Sequence, residues 1–233
     1  MRTTEGWLLD GRLRYAQPED GYRTGIEPVL LAAGIPAQPG HRVLEAGTGA
    51  GAALMCLWSR VPSLAGTGVE ADAAMADLAR CNIAGNGFAG ISIVTADMAV
   101  MDGLGLFDHA FSNPPWHDPA STPSPLPRRQ LAKQADGRDW TALVRARVQP
   151  GGTATLLLPA AQVGDAIAAL RPASITLLPF WPKAGRPAKL VLLQARLRRG
   201  PDRVLPGLVL HKQDGTFTEE AEAVLRRGDA LKL

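Results

Sequence analysis

The chain has 233 residues and a mass of 24.6 kDa, with 46% hydrophobic and 20% charged residues, the composition of an ordinary globular protein. Two cysteines, Cys56 and Cys81, are too few for a disulfide framework and form no CxxC zinc motif, so no metal site is expected and a reducing cytoplasm fits best. We place both cysteines on the core faces of helices. No apolar run approaches the roughly 20 residues that span a bilayer, and the first residues lack a signal-peptide pattern, which disfavours secretion and membrane insertion.

Charge is distributed unevenly along the chain. Residues 1–120 carry 7 basic and 13 acidic side chains, whereas residues 121–233 carry 18 and 9. A basic half of this kind favours a polyanionic partner such as a nucleic acid. Because 20 of the 25 basic residues are arginine, a GC-rich genome would produce the same bias, and both explanations stay open.

The predicted elements begin with a short helix at 27–34, and from residue 42 onward short apolar runs alternate with stretches of helical period. This pattern is typical of a mostly parallel sheet with helices on both faces. The predicted strands are 42–47, 66–71, 91–96, 107–113, 152–159, 175–180 and 189–197. The predicted helices between them are 50–60, 72–86, 138–148 and 160–170.

The last two of these strands are separated only by the segment WPKAGRPA. That segment is too short for a parallel crossover, so one of the two strands must run antiparallel. The tail then predicts a strand, a turn at Asp214-Gly215 and a helix capped by Thr218. We expect one domain, 1–233, made of an N-terminal segment, a core and a C-terminal strand and helix, with the bounds 1–40, 41–200 and 201–233.

A proline-rich stretch follows the strand at 107–113. Residues 114–127 contain six prolines and cannot form regular structure. Because loops at strand ends carry binding residues, we interpret 114–127 as a substrate-facing segment that orders on binding. A floppy surface loop is the alternative.

The sharpest motif is VLEAGTGAG, in which a strand enters the glycine loop, residues 47–51, and a helix follows. Its glycines let the backbone turn tightly and approach a ligand, whose polar end meets the free N–H groups of the helix start. Gly47, Gly49 and Ala52 also satisfy the G-x-G-x-x-G/A dinucleotide fingerprint. The loop alone therefore leaves the choice of nucleotide cofactor open.

Acidic side chains end the next two strands, Glu70 after the second and Asp97 after the third. A carboxylate at that edge can accept hydrogen bonds from a ribose diol or from the amine of an adenine. Taken singly, each acid is more often a helix cap, as Asp72 and Asp97 could be. Their position at successive strand ends indicates one crevice that binds a nucleoside.

The fourth strand ends in Asn113-Pro114-Pro115-Trp116. The side-chain carbonyl of Asn113 and the backbone carbonyl of Pro114 can each accept one N–H of a planar amine, while Trp116 stacks on its ring. The prolines fix the backbone and so preorganise the acceptors. A proline-terminated strand with a buried tryptophan is the alternative, but it does not explain why the tetrapeptide faces the glycine loop.

The order of these motifs resembles that of the class I S-adenosylmethionine-dependent methyltransferases: EAGTGAG, the acidic end of the second strand, the Ala96-Asp97 pair and NPPW. In that family, NPP followed by an aromatic residue marks methyl transfer to planar nitrogens. The segments DGRLRYAQPEDGYRTGIEPVLLAA, PKAGRPAKLVLLQARL and LVLHKQDGTFTEEAEAVLRRG further resemble the bacterial tRNA1(Val) adenine-N6 methyltransferase family over nearly the whole chain.

This resemblance implies a Rossmann-like α/β fold with a seven-stranded, mostly parallel sheet, an antiparallel C-terminal strand and helices on both faces. It implies S-adenosyl-L-methionine as cofactor and the N6 amine of an adenine in a tRNA, in the anticodon loop of tRNA1(Val), as methyl acceptor. The resemblance also implies that residues 1–40 form the segment that covers the cofactor. We expect a cytoplasmic monomer with no membrane partner.

Site residues follow from the same resemblance. The target-base clamp is Asn113, Pro114, Pro115 and Trp116. The cofactor set is Thr24, Gly25, Glu27, Glu45, Gly47, Thr48, Gly49, Gly51, Glu70, Asp97 and Met98. Basic side chains expected to hold RNA phosphates are Arg128, Arg129, Lys133, Lys183, Arg186 and Lys189. The chain has glutamate at position 45 where the family usually has aspartate, and tryptophan at 116 where tyrosine or phenylalanine is commoner.

Three alternatives remain at this point. A methyltransferase acting on a guanine N2 of rRNA or on a protein glutamine N5 would present the same planar NH₂ to the same clamp. A nicotinamide-dependent oxidoreductase would use the glycine loop but gives NPPW no role. A non-catalytic RNA-binding protein would keep only the fold.

Overall fold

A computed structural model describes residues 1–20, 24–115 and 139–233. The strands are β1 Thr3–Leu8, β2 Leu13–Pro18, β3 Arg42–Ala46, β4 Ala65–Glu70, β5 Ile91–Thr95, β6 Phe107–Ser112, β7 Val148–Pro159, β8 Ser174–Lys183, β9 Leu190–Arg196, β10 Arg203–Val204 and β11 Leu208–His211. The α-helices are α1 Glu27–Ala33, α2 Ala52–Arg60, α3 Ala73–Gly85, α4 Trp140–Arg145, α5 Val163–Leu170 and α6 Glu219–Leu225, and a 3₁₀ turn covers Ala160–Gln162.

The main sheet has the strand order β10-β8-β9-β7-β6-β3-β4-β5, with β11 also pairing with β8. Strand β9 runs antiparallel to β7 and β8, whereas the other pairs in this sheet are parallel. The seven predicted strands and the antiparallel one among them are confirmed. In the described residues the sheet has nine strands rather than seven, because the short β10 and β11 extend it alongside β8.

Apolar residues fill both faces of this sheet. Neighbouring residues of β6 point to opposite sides, so Phe111 lies in the cluster that contains Met55 of α2 and Ala110 lies in the cluster that contains Val144 of α4 and Leu170 of α5. Helices α1, α2, α3 and α6 cover the first face, and α4 and α5 cover the second. Within the described ranges, no helix is long and apolar enough to cross a membrane.

An N-terminal hairpin was not among the predicted elements. Strands β1 and β2 pair antiparallel, with Leu8 opposite Leu13, and the turn between them contains Asp10 and Gly11, both at positive φ. An Asp-Gly pair between two alternating runs is a hairpin signal. The hairpin escaped prediction because β1 alternates exposed with half-buried residues and has no buried one, so it lacks the apolar pattern of a core strand.

Two further expectations need correction. The helix predicted at 138–148 spans only Trp140–Arg145, because Val148 already pairs with Phe107 and extends β7 along β6. Cys56 is buried as predicted, but Cys81 is exposed. Helix α3 buries Ala79 and Ile83, and two residues beyond Ala79 the helix has turned by roughly 200°, which carries Cys81 to the solvent side.

Candidate active site

The pairing of β3 with its two neighbours fixes the edge at which the site forms. Glu45 lies opposite Gly68 in β4 and opposite Phe111 in β6, and all three strands run parallel. The carboxyl ends of parallel strands meet at one edge of a sheet, where α/β proteins bind ligands. The glycine loop, Glu70 and Asn113 therefore leave the sheet side by side, as the sequence predicts.

The glycine loop has a backbone that other residues would strain. Gly47, Gly49 and Gly51 have φ of +71°, +56° and +87°, in the left-handed region that glycine enters without steric cost. The Gly47 N–H donates to Val69 O at 2.9 Å, and the Gly51 N–H donates to Thr48 O at 2.9 Å. These bonds hold the loop in the conformation that starts helix α2.

Trp140, which the sequence did not indicate, packs against this loop. A Cβ at Gly47 would lie 3.1 and 3.2 Å from two ring atoms of Trp140, so glycine is needed there for space as well as for φ. The indole N–H of Trp140 is buried and has no hydrogen-bond partner in the described part of the chain. The first residue of α4 thus forms a wall of the crevice.

Glu45 is a buried carboxyl group at the end of β3, with 4% of its surface exposed. The hydroxyl of Thr48 donates to its Oε2 at 2.7 Å. Burial raises the pKa of Glu45 to about 8, the charge of Glu70 adds to this rise, and the hydrogen bond from Thr48 opposes it. The hydrogen bond from Thr48 therefore ties the glycine loop to Glu45 in β3.

Glu70 links the glycine loop to the start of helix α3. Its Oε2 accepts the Gly49 N–H at 2.9 Å, and its Oε1 accepts the Asp72 N–H at 2.9 Å. The carboxylate is thereby held in one orientation at the C-terminal end of β4. A carboxylate oxygen can accept more than one hydrogen bond, so this arrangement suits a ribose diol.

Two acidic side chains near this edge accept hydrogen bonds from backbone N–H groups a few residues further along the chain. Asp72 caps α3 by accepting from the N–H groups of Ala74 and Met75, which matches the capping alternative. Asp97, just after β5, accepts the Ala99 N–H at 2.9 Å. Met98 is buried in the hydrophobic cluster of the α4 and α5 face, so its side chain supports the edge from inside. The adenine-binding roles of Asp97 and Met98 stay predictions.

The start of the predicted base clamp continues directly from β6. The hydroxyl of Ser112 donates to Ala46 O at 2.7 Å in a fully buried contact, which ties the end of β6 to the end of β3. Asn113 and Pro115 are half-buried, and Pro114 is buried. Trp116 lies outside the described residues, so its stacking role stays a prediction.

Within the predicted N-terminal cover, strand β2 holds Thr24. The Thr24 Oγ1 lies 2.7 Å from the hydroxyl of Tyr15, and the Thr24 N–H donates to the side-chain carbonyl of Gln17 at 3.0 Å. A Cβ at Gly25 would lie 2.2 Å from Oε2 of Glu27, and that buried oxygen has no hydrogen-bond partner in the described ranges. Glu27 therefore presents a carboxylate oxygen that a ligand amine could satisfy.

The basic side chains separate into two groups. Lys183 ends β8, while Arg186 and Lys189 are exposed in the hairpin between β8 and β9. Ser112 is paired with Leu156, and three residues later Pro159 is paired with Leu190, so this hairpin lies at the same sheet edge as the clamp. The other three predicted phosphate contacts, Arg128, Arg129 and Lys133, lie outside the described residues, as does most of 114–137.

Glu45 generates a prediction about stability and pH. The unfolded chain ionises this group near 4.5 and the folded chain near 8, so the folded state is penalised as pH rises from 4.5 to 8. The penalty grows by at most about 1.4 kcal/mol per pH unit. Above the folded pKa of about 8, the contribution stays constant. The Glu45→Gln variant lacks this penalty, so its stability increases relative to that of the wild type as pH rises.

Urea unfolding of wild type and Glu45→Gln at pH 5, 7 and 9 measures this effect. We expect the free energy of unfolding of the variant, relative to that of the wild type, to rise by several kcal/mol between pH 5 and 9. The rise should not exceed about 1.4 kcal/mol per pH unit. A difference that is constant with pH would mean that Glu45 ionises in the folded protein as it does in water.

Comparison with known proteins agrees with this geometry. The family model of the methyltransferase small domain matches residues 27–136. The tRNA1(Val) (adenine(37)-N6)-methyltransferase of Aeromonas hydrophila is 29% identical, with 84% of this chain and 86% of the relative aligned. The enzyme of the same name from Bacteroides thetaiotaomicron is 31% identical, with 59% of this chain and 60% of the relative aligned.

Solved structures agree on the fold. A predicted O-methyltransferase from Agrobacterium tumefaciens superposes with a TM-score of 0.73 at 23% identity, covering 88% of this chain and 98% of that one. A methyltransferase from Pyrococcus furiosus gives 0.59 at 20% identity, covering 79% and 89%. Together with the family model that matches residues 27–136, the fold confirms the expected cofactor, S-adenosyl-L-methionine. The fold is therefore that of the class I S-adenosylmethionine-dependent methyltransferases, and the matched family model and the named relatives indicate that the chain is a methyltransferase.

Proposed function

We propose that this enzyme transfers the methyl group of S-adenosyl-L-methionine to the exocyclic N6 of an adenine in tRNA. The observation that carries the proposal is the position of Asn113 and Pro114, which continue from a strand tied to the end of β3 by the Ser112 to Ala46 bond. Two named relatives act on adenine 37 of tRNA1(Val), and we propose the same tRNA, at the same anticodon-loop position, for this chain.

Asn113 and Pro114 would bind and orient the amine. The Asn113 side-chain carbonyl and the Pro114 backbone carbonyl each accept one N–H, which leaves the nitrogen lone pair directed at the methyl donor. The cofactor supplies the methyl group on a positively charged sulfur. Once the N–C bond has formed and the C–S bond has broken, the surplus proton on nitrogen leaves to solvent. Trp116 would stack on the adenine after it has left the RNA base stack.

The residues at the sheet edge fit the cofactor. Glu70 is oriented for the ribose hydroxyls, and the glycine loop, which Thr48 ties to Glu45, approaches the methionine part. The unpartnered oxygen of Glu27 suits the cofactor's ammonium group, with Thr24 and Gly25 beside it. Asp97 and Met98 complete the adenine side. In this proposal 1–40 covers the cofactor, 41–200 is the catalytic core and 201–233 completes one domain.

The hairpin between β8 and β9 is proposed as an RNA contact. From β6 to β8 there are three strand spacings of about 4.8 Å, which separates the hairpin from the clamp by roughly 14 Å along the sheet edge. A groove of about 560 Å³ opens there, lined in part by Trp181, Arg186 and Val209. The Trp181 indole N–H donates to Pro206 O at 2.9 Å, which fixes the ring. An aromatic ring among cations suits single-stranded RNA.

The enzyme would act as a monomer in the cytoplasm, where its tRNA substrate is found. The other acceptors with a planar NH₂, a guanine N2 of rRNA and a glutamine N5 of a protein, are outcomes of the test below. The relatives' names favour the adenine of tRNA over both.

The proposal is tested by transferring labelled methyl from S-adenosyl-L-methionine to total tRNA from a strain that lacks this protein. After digestion to nucleosides, we expect the label in N6-methyladenosine. Label that appears only in ribosomal RNA or in protein would disprove the tRNA assignment and keep the methyltransferase. No transfer to any fraction, with RNA still bound, would indicate a non-catalytic protein.

Asn113→Ala separates the clamp from the cofactor site. Loss of one acceptor leaves an amine hydrogen unpaired and the nitrogen poorly aligned, so we expect kcat to fall by roughly 100-fold or more. Calorimetry should give the same Kd for S-adenosylhomocysteine as the wild type, because that ligand carries no target base. A variant that retains wild-type kcat would show that Asn113 is not part of the clamp.

The basic hairpin is tested through the salt dependence of tRNA binding. Replacing Lys183, Arg186 and Lys189 by glutamine should lower the slope of log Kobs against log[salt] by about 2 to 3. A matched control removes three exposed arginines at the opposite sheet edge, Arg198, Arg199 and Arg203. Equal slopes for the two triple variants would place the RNA elsewhere.

A further inference from the structure

We propose that Asn82 is a positioning residue that joins the N-terminal hairpin to the glycine loop, so that both form one cofactor-binding unit. The inference rests on the proposed role of the glycine loop in holding S-adenosyl-L-methionine. Asn82 lies on α3 and is 6% exposed, and its side chain bonds to Ala16 and Ala50. Its three hydrogen bonds connect three separate parts of the chain.

Two of these bonds belong to an amide clamp made by Asn82 and Asn86. The Asn82 side chain accepts the Ala16 N–H at 2.9 Å and donates to Ala16 O at 2.9 Å. Asn86 does the same with Arg14, at 3.0 and 2.8 Å. Four helical residues advance about 6 Å and two strand residues about 6.8 Å, so the two amides match alternate residues of β2.

The amide clamp supplies the hydrogen-bond partners that a third strand would supply to β2. In an antiparallel pair, alternate residues direct their N–H and C=O groups away from the partner strand, and these groups need partners when they are covered. Arg14 and Ala16 turn such groups toward α3, and the two asparagine amides satisfy them. The hairpin is thereby fixed to the helix whose start is held by Glu70.

The third bond of Asn82 reaches the glycine loop. Its amide also donates to Ala50 O at 3.0 Å in a buried contact. That carbonyl belongs to the peptide whose N–H, on Gly51, donates to Thr48 O, so both ends of the peptide unit are held. Fixing this plane orients the glycine loop against the start of α2, where the cofactor would bind.

The two residues that flank Ala16 in β2 hold Thr24, a residue of the predicted cofactor site. Tyr15 and Gln17 of β2 bind Thr24 through its hydroxyl and its N–H. A continuous path of hydrogen bonds therefore runs from the glycine loop through Asn82 and β2 to Thr24. Displacing the Asn82 amide disturbs the loop and the cover together, and both have to be in place for tight binding.

Asn86 provides a matched control within the same clamp. Apart from the bonds to Arg14, its amide donates to Asn82 O at 2.7 Å and approaches the sulfur of Met55 at 3.6 Å. None of these partners belongs to the glycine loop. A change at Asn86 loosens the hairpin without touching Ala50.

The experiment compares Asn82→Asp with Asn86→Asp in the full chain. Each change replaces an N–H donor by an oxygen that faces backbone carbonyls. We expect the Kd for S-adenosylhomocysteine, measured by calorimetry, to rise roughly tenfold or more for Asn82→Asp and less than about threefold for Asn86→Asp. The KM for S-adenosyl-L-methionine should rise in parallel, while kcat at saturating cofactor stays near that of the wild type.

Asn82→Ala, which adds no charge, serves as a second variant if the aspartate variant does not fold, and should raise the same Kd. Equal weakening by the Asn82 and Asn86 variants would reduce Asn82 to a hairpin clamp and overturn the inference, as would wild-type affinity in both Asn82 variants. Failure of the wild type itself to bind S-adenosylhomocysteine would instead contradict the proposed function.

Discussion

The parallel pairing of β3 with β4 on one side and β6 on the other is the constraint on which the rest of the structure depends. Three strands that run in the same direction end at the same edge, so residues far apart in sequence leave the sheet as neighbours. The glycine loop, Glu70 and Asn113 owe their proximity to this register. Any slip of β6 by one residue would turn Asn113 to the other face.

The support of the glycine loop comes from three directions. Below it, Thr48 bonds to the buried Glu45, beside it Glu70 accepts the Gly49 N–H, and Trp140 packs over Gly47. Each contact restricts a different part of the loop. A loop held this way needs little reorganisation when its ligand binds, which is how preorganisation raises affinity.

Much of the fold and part of the site could be predicted from the sequence. The features that could not be predicted share a physical cause. Strands buried on both faces produce continuous apolar runs, and the polar residues that follow them mark the edge, which is why the sequence predicts the position of Glu70 and Asn113 at that edge. Strand β1 of the N-terminal hairpin has no buried residue, and the amide clamp of Asn82 and Asn86 depends on tertiary contacts between a helix and a strand edge. Such side-chain to backbone bonds leave no periodic signal in the sequence.

The central claim is that the cofactor lies on the glycine loop beside Glu70. Hydrogen exchange of the backbone amides, measured with and without S-adenosylhomocysteine, tests it most directly. The account predicts slower exchange in the glycine loop and around Glu70 when the ligand is bound, with little change in the hairpin between β8 and β9. Ligand binding that left exchange in the loop unchanged and protected another part of the sheet would contradict it.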